Sequence, residues 1–277
     1  MPKLLFFDID GTLAYPLREP PQSAADAIRE ARRKGHLAFI STGRTHDSVP
    51  PAVVEIGFDG GIFSAGGIVI LGDQILTQHQ MSDRKVDAVM NYMKAHPVFY
   101  VLETPDGRFH SENGEAILAQ TDMTGIPLDL QKLTAEILLD PTARPMSEYR
   151  GQSVFKIAYH APLPRFSDEL IEALRDVAKV VPFHNIPGLP IEIGEVSDPM
   201  VNKARAMLDL CGHFGMTAAD CIAFGDSMND SEILETAGIG VAMGNAEESL
   251  KAIADMVCDR CEHDGIFKAM QKLGLIQ

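Results

Sequence analysis

The sequence predicts an α/β protein, a doubly wound and mostly parallel sheet interrupted by an α+β insertion. Two observations predict it. Short apolar runs recur towards both ends of the 277-residue chain, each closed by a loop of Asp, Gly, Ser or Thr. Such runs read as strands buried on both faces, the usual state of a parallel sheet. Helical patterns alternate with these runs at both ends, whereas the middle of the chain is strand-rich and loses that alternation.

Leu4-Leu5-Phe6-Phe7 is the first buried strand. A turn-rich stretch with Pro16, Pro20 and Pro21 follows. Ser23 is the expected N-cap of a helix over 23–34, with Ala24, Ala27, Ile28 and Ala31 on one face and Gly35 at its end. Leu37-Ala38-Phe39-Ile40-Ser41 is the second strand and Gly61-Ile62-Phe63-Ser64 the third. Ile68-Val69-Ile70-Leu71, Gly72-Asp73 and Ile75-Leu76 spell a β-hairpin. From Ser82 the character changes: a helix to 95, a strand over 98–103, a turn at Asp106-Gly107, then strand 154–159, helix 167–179 and strand 180–184. Pro187-Gly188 and Pro190 mark the return. After Ile191 the α/β rhythm resumes, with helices over 200–211, 231–237, 246–254 and 266–273 and strands over 221–224, 239–241 and 256–258. The expected division is a core of residues 1–81 and 188–277 with an α+β domain at 82–187. No internal repeat or low-complexity tract is present.

Composition narrows the function. Lys and Arg total 24 against 39 Asp and Glu, a net charge of −15. That excess argues against non-specific binding to nucleic acid or an anionic membrane, which needs basic patches. It also repels any phosphorylated substrate at long range, so local groups must hold one. The chain shows no signal-peptide pattern and no apolar span near twenty residues, so a cytoplasmic location is expected. Cys211, Cys221, Cys258 and Cys261 fit reduced thiols. Cys258-Asp259-Arg260-Cys261 with His263 has no second ligand pair at zinc spacing, so packing cysteines are expected. Met90, Met93, Met207 and Met270 fall on apolar helix faces.

The chemistry starts at Asp8-Ile9-Asp10-Gly11-Thr12-Leu13, directly after the first strand. Two aspartates two residues apart at a strand end point to the same side. That rim is where open α/β sheets bind ligands. Carboxylates so close repel each other, and a bound cation removes the repulsion. A carboxylate beside a metal can also attack phosphorus and form an aspartyl phosphate. Ser41-Thr42-Gly43-Arg44 ends the second strand with a hydroxyl and a glycine N–H, which suit a phosphoryl group, although alone such residues after a strand more often make an ordinary turn. Gly225-Asp226-Ser227-Met228-Asn229-Asp230 follows another strand, and there the acidic residues suit either a metal or a helix start. Lys203 near a helix start is, alone, the commonest kind of surface residue. Together these groups gain weight, because parallel strands lay such loops side by side along one sheet edge.

In these residues the chain resembles the haloacid dehalogenase (HAD) superfamily of phosphatases, specifically the Cof-type group with a class IIB cap. Residues 8–13 resemble its first motif, Thr42-Gly43-Arg44 its second, Lys203 its third, 225–230 its fourth, and Asp264-Gly265-Ile266 its closing pattern. Asn202 and Ala204 stand where the group commonly has Lys-Gly around its lysine, and Ala65-Gly66-Gly67 where Asn-Gly is common. The resemblance implies a HAD-like core and a cap that controls access and specificity. It implies Asp8 as nucleophile and Asp10 as general acid, then base. It implies Mg²⁺ held by Asp8, the Asp10 carbonyl and Asp226. Thr42, Gly43, Arg44, Lys203 and Asn229 would bind phosphate, with Asp230 holding Lys203 or a metal-bound water. The expected reaction is hydrolysis of a small phosphorylated metabolite such as a sugar phosphate. A phosphomutase or phosphotransferase on the same core, and a non-catalytic phosphometabolite-binding regulator, are the alternatives. Neither the substrate's identity nor the oligomeric state is written in the sequence.

Overall fold

The computed structural model describes residues 2–15, 19–162, 164–183 and 186–277. Pro16, in the expected turn, and His184, at the expected end of a strand, lie outside them. In chain order the elements are β1 (Leu4–Phe7), α1 (Gln22–Arg33), β2 (Leu37–Ser41), α2 (Pro51–Val54), β3 (Gly60–Phe63), β4 (Ile68–Leu71) and β5 (Gln74–Gln78). Then come α3 (Asp83–Lys94), β6 (Phe99–Thr104), β7 (Gly107–His110), α4 (Gly114–Gln120), α5 (Leu128–Leu139), β8 (Arg144–Pro145), β9 (Lys156–Ala161), α6 (Phe166–Leu174), β10 (Lys179–Phe183) and β11 (Glu192–Ser197). The chain closes with α7 (Lys203–Phe214), β12 (Cys221–Gly225), α8 (Ser231–Thr236), β13 (Ile239–Ala242), α9 (Glu248–Ile253), β14 (Met256–Val257) and α10 (Gly265–Lys272).

Two units form. The first holds residues 1–79 and 200–277, the second residues 80–199. The first unit's sheet runs β14-β13-β12-β1-β2-β3-β4-β5. Its strands are parallel from β14 to β3, and β4 and β5 add the antiparallel hairpin. β1 is flanked by β2 on one side and β12 on the other, so the winding reverses there. Such a switch point opens a crevice beyond the carboxyl ends of the strands. The apolar runs are buried as their composition demands: Leu4 and Phe6 join Ala206, Met207 and Leu210 of α7 in one cluster. Phe6 stacks on Phe39 at 5.3 Å, and Phe7 on Phe224 at 4.8 Å. Each such side chain contributes about 1.5–3 kcal/mol by leaving water.

The second unit's sheet runs β10-β11-β9-β6-β7-β8. Met90, Met93 and Val89 of α3 pack with Phe166 and Leu170 of α6 on one cluster, and Ile117 and Leu138 of α4 and α5 on another. The sheet also buries Lys156, with Nζ 2.7 Å from Glu195 and 3.6 Å from Glu103.

Two expectations change. Residues 80–81 and 188–199 belong to the second unit, not the core, because the Met81 N–H donates to the Val154 carbonyl and β11 pairs antiparallel with both β9 and β10. Ser23 is not an N-cap. The helix begins one residue earlier, after Pro21, and Ser23 Oγ instead donates to Asp264 Oδ1 at 2.6 Å.

Candidate active site

The register of β1 on its neighbours assembles the site. Phe7 pairs with Phe224 and with Ile40, and the Asp8 N–H donates to the Phe224 carbonyl at 3.1 Å. Asp8 directly after β1, Ser41 at the end of β2 and Asp226 directly after β12 are thereby brought to one rim, although 33 and 218 positions separate Ser41 and Asp226 from Asp8 in sequence. After Asp8 the chain turns sharply: Leu13 N–H donates to the Asp8 carbonyl and Gly11 N–H to that of Ala14, at 3.2 and 2.7 Å. Gly11 has φ +91°, and a Cβ on it would meet Asp226 Oδ2 at 2.0 Å. Only glycine lets this turn lie directly on Asp226.

Lys203 opens α7. Asn202 caps that helix, its Oδ1 accepting from the Arg205 N–H at 2.8 Å. That role accounts for an asparagine before the lysine. Lys203 is 1% exposed, and its Nζ lies 2.8 Å from Asp8 Oδ1, 2.5 Å from Asp230 Oδ1 and 3.5 Å from Asn229 Oδ1. The other oxygen of Asp230 accepts from the Asp226 and Ser227 N–H groups at 3.2 and 3.3 Å. Asp230 is thus a strut joining the lysine to the loop that carries Asp226. Thr12 Oγ1 donates to Asp226 Oδ1 at 3.4 Å.

Asp10 and Arg44 form a second pair on the same rim. Arg44 Nε and a terminal nitrogen grip the two Asp10 oxygens at 2.6 and 2.7 Å, and the other terminal nitrogen donates to the Ser48 carbonyl. Thr42 is buried, and its Oγ1 accepts from the Arg44 N–H at 3.1 Å. The loop after β3 supports this segment: Ser64 N–H donates to the Arg44 carbonyl and Ala65 N–H to that of Thr42. Ser64 and Ala65 adopt positive φ values of 49° and 56° to do so. Such backbone is costly and persists where surrounding structure enforces it. Asp8, Asp226, Asp230, Lys203, Asn229 and Thr12 therefore meet in one cluster, while the Asp10 carboxylate faces Arg44. The Ser64–Ala65 buttress and Thr12 escaped the sequence reading; two non-glycine left-handed residues leave no compositional signal.

Electrostatics single out the cluster. Asp8, Asp226 and Asp230 each offer a carboxylate oxygen, all within 4.8 Å of one another, against one buried lysine. Burial pushes the Asp8 carboxyl up to about 7, with Lys203 pulling it down and Asp230 and Asp10 pushing it further up. Burial, then Asp8 and Asp230, push Asp226 up to about 9. Burial opposes the charge on Lys203, but Asp230 and Asp8 more than offset it and raise its pKa. The cluster thus sets three carboxyl groups against one cation, in an all-oxygen donor set. That is the environment a small hard divalent cation fits.

A sequence profile of the haloacid dehalogenase-like hydrolases matches residues 5–270. The chain belongs to that family. Phosphatase YwpJ of Bacillus subtilis is 28% identical over 98% of this chain and 99% of its own length. An HMP-PP phosphatase of Yersinia enterocolitica is 27% identical, covering 98% and 95%. The 5-amino-6-(5-phospho-D-ribitylamino)uracil phosphatase YitU of B. subtilis is 26% identical, covering 98% and 97%. Among solved structures, a HAD subclass IIB sugar phosphatase superposes with a TM-score of 0.79 at 25% identity, covering 99% of this chain and 100% of its own. The HAD fold and HAD-type phosphatase activity follow. Among the described residues no helix is long and apolar enough to cross a membrane.

Proposed function

We propose that this HAD phosphatase hydrolyses a small phosphomonoester through an aspartyl phosphate on Asp8, with Mg²⁺ at the Asp8–Asp226–Asp230 cluster. The observation that carries the reading is the buried Asp8 carboxylate bonded to Lys203 within an acidic cluster. Asp8 would attack phosphorus, forming an O–P bond as the bond to the leaving oxygen breaks. Asp10, whose carboxylate Arg44 holds on both oxygens in this structure, would leave that fork and take up a proton before giving it to the leaving oxygen, and would then take one from the water that releases phosphate from Asp8. Lys203 and Thr42 would face the equatorial phosphoryl oxygens, where negative charge must be met. Bound Mg²⁺ would offset charge on those oxygens and on the carboxylates. Asp8, Asp226 and the Asp10 backbone carbonyl would hold it, with Asp230 fixing the loop.

The leaving group we propose is a small polar metabolite, a sugar being favoured. Support comes from the structural relative that is a sugar phosphatase and from relatives that are named for other small phosphorylated compounds. Residues 80–199 would act as a cap that discriminates among such metabolites, and the setting would be cytoplasmic. The test is a metabolite panel assayed for released phosphate with and without Mg²⁺. Mg²⁺-dependent phosphate release from small phosphomonoesters is expected. Phosphoryl transfer without free phosphate, or binding without turnover, would overturn hydrolysis as the function.

A further inference from the structure

The loop that follows β13 is laced to three neighbouring loops. Its Met243 N–H donates to the Gly225 carbonyl at 2.9 Å and its Glu247 N–H to that of Asp226 at 3.3 Å. On the other side its Gly244 N–H donates to the Asp259 carbonyl at 3.2 Å. These bonds are backbone to backbone and would tolerate most side chains. Asn245 is different. Its Nδ2 donates to the Gly11 carbonyl at 2.7 Å, and its Oδ1 accepts from the Cys261 N–H at 3.4 Å. The strand order places β12 between β13 and β1, so this one side chain spans a strand to reach the turn that carries Asp8 and Asp10.

We infer that Asn245 is a positioning residue for the phosphatase site: by gripping the Gly11 carbonyl it holds the Asp8–Thr12 turn against the loops after β12, β13 and β14. The inference rests on the proposed mechanism, which makes that turn the source of nucleophile, acid and one metal-binding carbonyl. Three features support it. A carboxamide offers a donor to a carbonyl and an acceptor to an N–H from one planar group; aspartate offers only acceptors and leucine neither. The turn has no slack on its far side, because Gly11 already lies on Asp226. The loop beneath has none either, since a Cβ on Gly244 would meet the Arg260 nitrogen at 2.7 Å. Asn245 therefore links two rigid walls, and loosening it would free the Gly11–Thr12 peptide and, through it, the adjoining Asp10–Gly11 peptide. Partners that orient metal ligands typically change affinity or activity by about 10–100-fold when removed.

The test uses Asn245→Asp and Asn245→Ala in the full chain, with a small aryl phosphate as substrate. Asp keeps the acceptor for Cys261 and the side-chain size but lacks the donor for Gly11; Ala lacks both. Both variants should lose about 10–100-fold in kcat with KM within about threefold. Asn245→Ala should also bind Mg²⁺ about tenfold more weakly by calorimetry without substrate. The inference is overturned if Asn245→Asp keeps kcat within about twofold of the parent, or if Asn245→Ala lowers Tm while leaving kcat and Mg²⁺ affinity unchanged. The Mg²⁺ titration separates the two levels. A parent chain that binds Mg²⁺ but turns over no phosphomonoester sinks the proposed function, while the Asn245→Ala titration still decides whether Asn245 orders the turn.

Discussion

Lys203→Met removes the cation that holds Asp8 and Asp230, and its cost can be worked from the geometry. The Nζ lies 2.8 Å from one carboxylate and 2.5 Å from the other, at 1% exposure, so water cannot replace it without opening the site. Breaking a buried pair by deleting one partner costs about 3–5 kcal/mol, because the remaining charge stays desolvated. Here two carboxylates are stranded beside Asp226, which places the metal-free variant at the upper end of that range. Against a total stability of about 5–15 kcal/mol this is a large fraction. With a urea dependence of about 2 kcal/mol per molar, the midpoint should fall by about 2.5 M. Amide hydrogen exchange of Phe6 and Phe7 in β1 reads this cleanly, because it reports the first unit without the second unit's transition. Mg²⁺ should restore part of the loss by binding the stranded carboxylates. Asp230→Asn on the Lys203→Met background should restore part as well, since it removes one of the repelling charges. The kcat should fall at least about 100-fold, as for other groups that meet charge in a transition state. A metal-free Lys203→Met chain within about 1 kcal/mol of the parent would refute the reasoning, for it would mean that the buried ion pair carries little of the site's stability.

Asp8→Asn should abolish turnover with little change in fold, because the amide nearly matches the carboxylate in volume but is a poor nucleophile. Retention of more than about a tenth of the parental rate, only ~1.4 kcal/mol of barrier, would exclude the covalent route. Asp8 and Asp226 are raised to about 7 and about 9 from the ordinary aspartate value of 3.8, so the metal-free fold binds protons that the unfolded chain does not. The contribution of these groups to the stability of the metal-free chain should therefore be fully present below about pH 4 and be lost as pH rises from there to about 7 for Asp8 and about 9 for Asp226. Mg²⁺ binding should release protons and tighten with pH, which calorimetry in buffers of different ionisation enthalpy measures; binding without proton release would contradict the raised pKa values. In the second unit, burial and then Arg108 lower the His160 imidazole to about 4. That contribution to stability is present above the ordinary histidine value of 6.5 and lost as pH falls from there to about 4, so His160→Gln should flatten acid unfolding of the second unit over that window. An unchanged acid limb would show that His160 does not drive it.

The sequence alone determined the features whose cause is local. An apolar run followed by Asp8-Ile9-Asp10-Gly11 states a buried strand, a tight turn and a pair of carboxylates, because strand periodicity and glycine's freedom act over a few residues. The hairpin of β4 and β5 was legible for the same reason. Helices α4 and α5 were not read. Leu128 and Leu139 of α5 are exposed while Thr134 is buried, so no single apolar stripe announces that helix. No strand is announced by residues 192–197, and only the pairing of β11 with β9 and β10 puts residues 188–199 in the second unit. The site divides in the same way. The residue types were visible, but Lys203 meets Asp8 across 195 positions and Asn245 meets Gly11 across 234. An asparagine after a glycine reads locally as a turn, and a lysine at a helix start reads as surface. What makes one a clamp and the other a buried counter-ion is the strand order around β1, which brings loops from opposite ends of the chain to one rim. No local pattern carries that order, since it arises from burying all the apolar runs in one sheet at once.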